Sequence, residues 1–443
     1  MTRTDSTPWL ARAAGWLPAI FWVLYTFWNT MLLAPPALGR LTGINLLYLL
    51  MLPAVGILTL QWRWPRLPGR WAYLAFLAWV ALGAISHDPV PDTDLVKGMV
   101  ICLLPTLAAA QIVIGGRNAR TVFTTTVMAT ALGLSIWTLW YAFDSGFRYR
   151  SGVPINPNFV ATIVGPGLLI ATAHYLTRDV VRRGALMALI LLCFYASLLL
   201  GSRGVLIAVL ASTVTLIAMV RPSFKQTRSL FVGALAMIVV AQLPILPYTV
   251  WQTGWETTNW LYTSAAEWRD MESQSADASD PLSSTGASTA SAPVLVPPPL
   301  HATAAASTAL GRFGEKDTGS FNLRYALWRA GLSYVLSSPT TLFVGGGMGM
   351  SGLIAWRANA YFRNAHNTFL QVLEDFGLIG LGLLAWLFWD LMRTRAGGTH
   401  VSTTWLPLMV FWLVTGLTAT VTDLHVFWIS LGVAAAASEE PHP

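Results

Sequence analysis

Residues 366–387 read HNTFLQVLEDFGLIGLGLLAWL. A histidine and an asparagine stand where polar chain gives way to a long apolar run. The run at 372–392 has the length that crosses a bilayer core, roughly 20 residues. Runs of this kind recur along the whole chain. With 55% hydrophobic and 11% charged residues the sequence lies far from the soluble average of roughly 25% charged. The expectation is an all-α polytopic membrane protein of about 12 transmembrane helices.

The candidate spans are 15–34, 44–60, 71–86, 98–115, 121–143, 159–177, 184–200, 205–220, 229–249, 372–392, 404–421 and 425–438. Basic residues fix their orientation, because short cytoplasmic loops collect Lys and Arg. One set of connections holds Arg63, Arg66, Arg70, Arg117, Arg120, Arg178, Arg182, Arg183, Arg221, Lys225, Arg228, Arg393 and Arg395. With Arg3 and Arg12 these make fifteen of the 27 basic residues. The net charge of +7 therefore follows membrane topology and does not indicate nucleic acid as a partner. Both termini are expected inside, with the segment 250–371 on the outer face. Cys102 and Cys193 fall inside apolar runs, which argues against a disulfide framework or a zinc site. The start of the chain shows no cleavage signature, so no removed signal peptide is expected.

The chain divides into spans one to nine (1–249), an outer segment (250–371) and spans ten to twelve (372–443). Within the outer segment, 269–312 is rich in Ser, Ala, Thr and Pro and lacks aromatics, the composition of a disordered loop. Helical pattern resumes at 320–338, where Ser320 is a cap and Pro339 a stop. Leu323, Leu327, Trp328, Leu332 and Val335 form its apolar stripe, and Arg324 shares another face with Gly331. Such a helix suits a bilayer surface.

Few side chains in this sequence suit chemistry, and they gather on the outer side. His366 comes first, because an imidazole of pKa about 6.5 takes and returns protons near neutrality. Capping the next helix, or anchoring at the interface, is its plainer role. Arg203 stands in a short turn between two apolar runs, flanked by glycines, and Arg324 lies upstream of the histidine. A guanidinium fork matches phosphate oxygens. Snorkelling at a helix end and surface solubility are their alternatives. Arg329, Arg357, Arg363, Arg148, Arg150, Asn158 and Asn367 are further candidates for binding substrate. Asp423 and His425 lie in the last outer loop. Asp92 and Asp94, with His87 nearby, could offer oxygen ligands to a cation, although a solvated acidic loop is the better reading of them. Glu374 and Asp375 are adjacent and so point to different sides of their helix. The glycines at 345–352 lack the Lys-Ser/Thr of a phosphate-binding loop. A proton acceptor beside cations at a membrane surface suggests transfer chemistry on a lipid-linked phosphate.

NPNFVATIV at 156–164, SRGVLIAVL at 202–210, LRYALWRAGL at 323–332, SSPTTLFVGGGMGM at 337–350 and the stretch from His366 together resemble the O-antigen ligase and polymerase superfamily. The resemblance covers most of 150–392 and is strongest over 320–385. It implies a GT-C-like fold with a periplasmic helical subdomain, in the bacterial inner membrane. It also implies an undecaprenyl-diphosphate-linked glycan donor and an acceptor that is lipid A–core or a second lipid-linked glycan. On this resemblance the motif histidine falls on His366 and the diphosphate-binding arginines on Arg203 and Arg324. No cofactor and no metal are expected. Trp255, Trp260 and Tyr361 would stack on sugar. A secondary transporter is the alternative from another class, but its spans would carry buried ionisable groups mid-membrane. Here His174 and Asp390 lie near span ends instead.

Overall fold

The computed structural model describes residues 8–29, 70–86, 95–144, 157–177, 183–242, 318–358, 365–393, 402–421 and 424–436. These residues form thirteen helices and no strand. They are α1 (Pro8–Asn29), α2 (Arg70–Ser86), α3 (Leu95–Asp144), α4 (Pro157–Thr177), α5 (Arg183–Leu200), α6 (Arg203–Val220) and α7 (Phe224–Gln242). After a long gap come α8 (Thr318–Val335), α9 (Pro339–Phe343), α10 (Met350–Ala358), α11 (Thr368–Arg393), α12 (Ser402–Gly416) and α13 (His425–Ala436). Five stretches are long and apolar enough to cross a membrane: 118–142 in α3, then α4, α5, α6 and α11. Shorter apolar helices add to them within α1, α2, α12 and α13. The chain is an all-α polytopic membrane protein.

Helix α4 is the axis of the bundle. It is apolar on every side, and 89% of its best window is buried, against 28% for α6. A helix without a polar face belongs in the middle, among other helices. It packs on α3, α5, α6 and α12. Small residues allow the close approach: a Cβ on Gly165 would lie 2.6 Å from the Phe411 ring, and one on Gly167 would overlap Ala131. Phe411, Trp412, Phe427 and Trp428 continue the core from α12 into α13 through edge-on ring contacts. Outward-facing apolar side chains such as Leu210 and Phe231 remain exposed, as lipid-facing positions require.

Two expectations need correction. The sequence predicts a turn at Arg117 and Arg120 between spans 98–115 and 121–143, but α3 is one helix of 50 residues. Gly115 and Gly116 each cost about 1 kcal/mol of helix propensity, yet neither removes a backbone donor as proline would. The two arginines therefore lie on a helix and not in a loop. The outer helix also begins and ends earlier than 320–338. It stops at Val335, and Pro339 does not merely stop it but opens α9, with Ser338 as a capping box partner of Thr341. The expected span at 44–60 and the loop 269–312 lie outside the described residues.

The feature that shapes the packing of α8 to α10 is a break inside α11. Gly377 has φ 65° and ψ −169°, so two helical pieces meet at a kink. A break in the ladder releases carbonyls of the residues before it. Three of them find new donors: Gly346 N–H bonds the Glu374 carbonyl, Gly347 N–H that of Asp375, and Trp79 Nε1–H that of Phe376, each at 2.9 Å. The glycine cluster is needed for this approach. Gly345, Gly347 and Gly349 all have φ between 84° and 89°. A Cβ on Gly345 would come within 2.5 Å of the Asp375 carbonyl oxygen. A Cβ on Gly377 would overlap the Phe343 backbone. Gly377→Ala is expected to cost about 1–3 kcal/mol for the positive-φ backbone alone, a region at extended ψ that essentially only glycine adopts, plus the steric displacement. Thermal unfolding in detergent should show a melting point several degrees lower, whereas Gly382→Ala, in open space, should leave it unchanged.

Candidate functional site

Helices α8 and the first half of α11 run side by side in the same direction. The buried face of α8 is Leu327, Gly331 and Val335, at intervals of four. Gly331 thus belongs to the apolar stripe and not to a separate face, whereas Leu332, expected in the stripe, is exposed with Tyr325 and Leu336. Leu370 and Glu374 of α11 fill the space that Gly331 leaves. A Cβ there would strike the Glu374 carboxyl oxygen Oε1, with Cδ at 2.8 Å and Leu370 Cδ2 at 3.4 Å. Glu374 is 1% exposed, and its Oε2 makes no hydrogen bond. Asp375 points elsewhere, as adjacency on a helix requires, and its Oδ1 accepts the Ser351 amide at 2.7 Å in the first turn of α10. The Tyr334 phenol, close to this acid pair, is pushed up by burial and then by the Asp375 and Glu374 charges.

At the top of the same two helices lies His366. Trp328 Nε1–H donates to the Ala365 carbonyl at 2.9 Å and so ties α8 to the residue before the histidine. His366 itself has φ 50°, a left-handed conformation uncommon in a residue with a side chain. The capping role is filled by its neighbour: Asn367 Oδ1 accepts the Leu370 amide at 3.0 Å. His366 is half-buried, and its pKa is lowered from 6.5 by burial and then by the positive charge of Arg324. Both effects oppose the imidazolium form. A neutral imidazole able to accept a proton is thus favoured at neutral pH.

A second support comes from the turn that follows α12. Asn367 Nδ2–H donates to the Leu417 carbonyl at 3.2 Å, and the Thr368 hydroxyl donates to the Ala419 carbonyl at 2.9 Å. The Val421 amide in turn donates to the Thr368 oxygen at 2.7 Å. The N-terminal end of α6, where Arg203 stands, meets this turn from the other side through Gly204. It opens α6 after Gly201, at φ 58°, and the extended Ser202, whose side chain makes no capping bond. The next residue, Gly204, lies directly against the Thr418 hydroxyl. Arg203 is exposed and Arg324 half-buried. The structure therefore seats His366 between α8, which brings Arg324, and the 417–421 turn, which is backed by the helix end bearing Arg203.

The other sequence candidates divide. Asn367 lies in the site, with its amide engaged within the fold at both ends. Asn158 is in the first turn of α4, partly buried. Arg329 and Arg357 are exposed, on α8 and at the end of α10. Arg148, Arg150 and Arg363 lie outside the described residues, as do Trp255, Trp260, Tyr361, His87, Asp92, Asp94 and Asp423. Sequence reasoning missed the Gly331–Glu374 fit, the Trp328 tether and the Asp375 cap. The only signals were an acid inside an apolar run and a glycine one turn after a tryptophan.

A buried acid and an imidazole flanked by guanidinium-bearing helices, above a membrane-spanning bundle, define a polar site on a multi-pass membrane protein. Residues 188–385, just under half of the chain, match the family model described as O-Antigen ligase. This match supports the O-antigen ligase superfamily for the chain, and with it a glycosyl-transfer function of the ligase or polymerase type. Arg203, Arg324 and His366 all fall within the matched residues. No curated protein matches the chain.

Two outcomes follow from this geometry. If Arg324 depresses His366, Arg324→Gln moves the acid limb of the pH–rate profile upward toward 6.5, though not fully, since burial remains. Activity is lost as pH falls through the lowered pKa, because protonation removes the acceptor; an unmoved limb would separate the two residues. Gly331→Ala is expected to overpack the interface at a cost of about 1–3 kcal/mol. Glu374→Asp, one methylene shorter, should restore part of the melting point in the double variant, measured against both single variants.

Proposed function

We propose that the protein transfers a glycan from undecaprenyl diphosphate to an acceptor hydroxyl at the periplasmic face of the inner membrane, as an O-antigen ligase does with lipid A–core. The observation that carries this reading is a half-buried imidazole in a left-handed turn, its pKa lowered by burial and by Arg324, inside an O-antigen ligase domain. His366 takes the proton of the acceptor hydroxyl as its oxygen attacks the anomeric carbon. The new carbon–oxygen bond forms while the bond from the anomeric carbon to the phosphate oxygen breaks. The electron pair leaves with the diphosphate, and Arg203 and Arg324 stabilise that charge. The imidazolium then gives its proton to water. Asn367 acts by position, holding the start of α11 against the 417–421 turn.

Topology supports the same side for these groups. The basic bias of the remaining short connections favours a periplasmic position for the outer segment, and exposed Tyr325, Leu332 and Leu336 give α8 an apolar face suited to the outer leaflet. Arg329 and Arg357, exposed near that surface, together with Arg148, Arg150, Asn158 and Arg363, are proposed to meet the glycan or lipid head groups. The route requires neither a cofactor nor a metal.

The test is transfer from a purified undecaprenyl-diphosphate-linked glycan. His366→Ala should lose about 100- to 10,000-fold in rate, the usual worth of a positioned base. Arg203→Ala should lose about 100-fold or more. Wild-type rates in both variants would remove this reading. The acceptor is read from a deletion strain: loss of long-chain lipopolysaccharide with retained lipid-linked polymer marks a ligase, and single-repeat products mark a polymerase.

A further inference from the structure

The corner between α6 and α7 lies at the far end of α6 from Arg203. That helix has 18 residues, so it separates the two by about 27 Å at 1.5 Å per residue, close to the thickness of a bilayer core. The corner therefore stands at the opposite membrane surface from the candidate site. Arg221 caps α6 in a left-handed conformation, at φ 49°, and Pro222 follows. Ser223 and Gln226 then open α7 with reciprocal bonds: Ser223 N–H donates to Gln226 Oε1 at 3.1 Å, and Gln226 N–H to Ser223 Oγ at 3.4 Å. Gln226 Nε2–H also reaches the Leu176 carbonyl near the end of α4, at 3.5 Å. The corner is thus pinned to the central helix of the bundle.

Three cations are displayed on it. Arg221, Lys225 and Arg228 are all exposed. Residues 183–242, which make α5, α6 and α7, contain no Asp or Glu, so no carboxylate on these helices answers the charge. Lys225 sits in the first turn of α7, where the helix dipole favours an anion and opposes a cation. A bound anion would relieve that repulsion. The same face is apolar further along. Phe224 is 80% exposed, the largest fraction of any large apolar side chain among the described residues, and Phe231 is 70% exposed. Phe224, Arg228, Phe231, Leu235 and Val239 recur at intervals of three or four, so they run in one stripe down the outside of α7. The opposite face is the packed one: Leu230 is buried, and a Cβ on Gly233 would lie 2.8 Å from Leu191 of α5. A soluble anion would meet the cations and leave the stripe uncovered. A zwitterionic lipid would cover the stripe but bring its own cation against the cluster. An anionic amphiphile satisfies both halves of the surface.

We propose that the α6–α7 corner binds an anionic phospholipid, with its phosphate among Arg221, Lys225 and Arg228 and an acyl chain along Phe231, Leu235 and Val239. The site is independent of the glycosyl-transfer reading, because it shares no residue with the candidate site and lies across the membrane from it.

The probes are dioleoyl phosphatidylglycerol and dioleoyl phosphatidylcholine, which carry the same chains. Full-length protein in detergent is titrated with each, and bound lipid is counted by native mass spectrometry. Wild type should bind the first phosphatidylglycerol about tenfold more tightly than phosphatidylcholine, and added salt should shrink that preference. The triple variant Arg221→Gln, Lys225→Gln, Arg228→Gln should reduce it to about twofold or less. Arg393→Gln, which removes an exposed cation at the end of α11, should leave it intact. Phe231→Ala should weaken both lipids alike, since it meets only the chain. Phosphatidylglycerol should raise the melting point of wild type and not that of the triple variant, whose own unfolding transition shows that it folds. Equal affinity of wild type for the two lipids, or a preference that survives in the triple variant, overturns the proposal. Full competition by glycerol 3-phosphate, a head group without chains, would make the corner a soluble-phosphate site and overturn the lipid.

Discussion

The packing of α8, α9 and α10 against α11 depends on one backbone break. At Gly377 the α11 ladder is interrupted, and the carbonyls of Glu374, Asp375 and Phe376 bond donors from other elements. Two of those donors are glycine amides from the turn between α9 and α10, and the third is Trp79 of α2. An unpaired backbone carbonyl buried in a membrane protein would cost several kcal/mol. The break is therefore tolerated only because these partners arrive together. It lets the second half of α11 stay in the bundle while the first half packs with α8 and α10.

The site above the break is assembled from unlike supports. Trp328 fixes Ala365 from α8, while Asn367 and Thr368 fix the start of α11 to the turn after α12. His366 lies between these tethers, in a left-handed conformation. In the proposed role of base, a side chain held on both sides loses little orientational freedom when a substrate arrives, which is how positioning contributes to rate. Its lowered pKa has the same origin in packing, since burial is the larger cause and Arg324 the smaller.

Much of this was legible in the sequence, because spans and polar clusters leave strong local signals. Apolar runs gave α4, α5 and α6 to within a few residues, and the histidine at the head of α11 was conspicuous for its isolation. What the sequence could not convey depends on contacts between distant segments. Continuity of α3 turns on whether Gly115 and Gly116 are outweighed by flanking helix, which local propensity does not decide. Gly331 reads as a neutral position until Glu374 is found beside it, and Asn367 reads as a ligand until its amide is found capping a helix. Arg203 and His366 are far apart in the chain, and the 417–421 turn, beyond the matched family residues, touches the neighbour of each, Gly204 and Asn367.

The central claim is that one anionic head group meets all three side chains at once. A cryo-electron microscopy structure of the full-length protein with undecaprenyl diphosphate tests it most directly. The account predicts diphosphate density within hydrogen-bond reach of the Arg203 and Arg324 guanidinium groups, about 3 Å, with the His366 ring facing the outermost phosphate. Density resting on a surface that none of the three side chains reaches, or that only one of them touches, would contradict it.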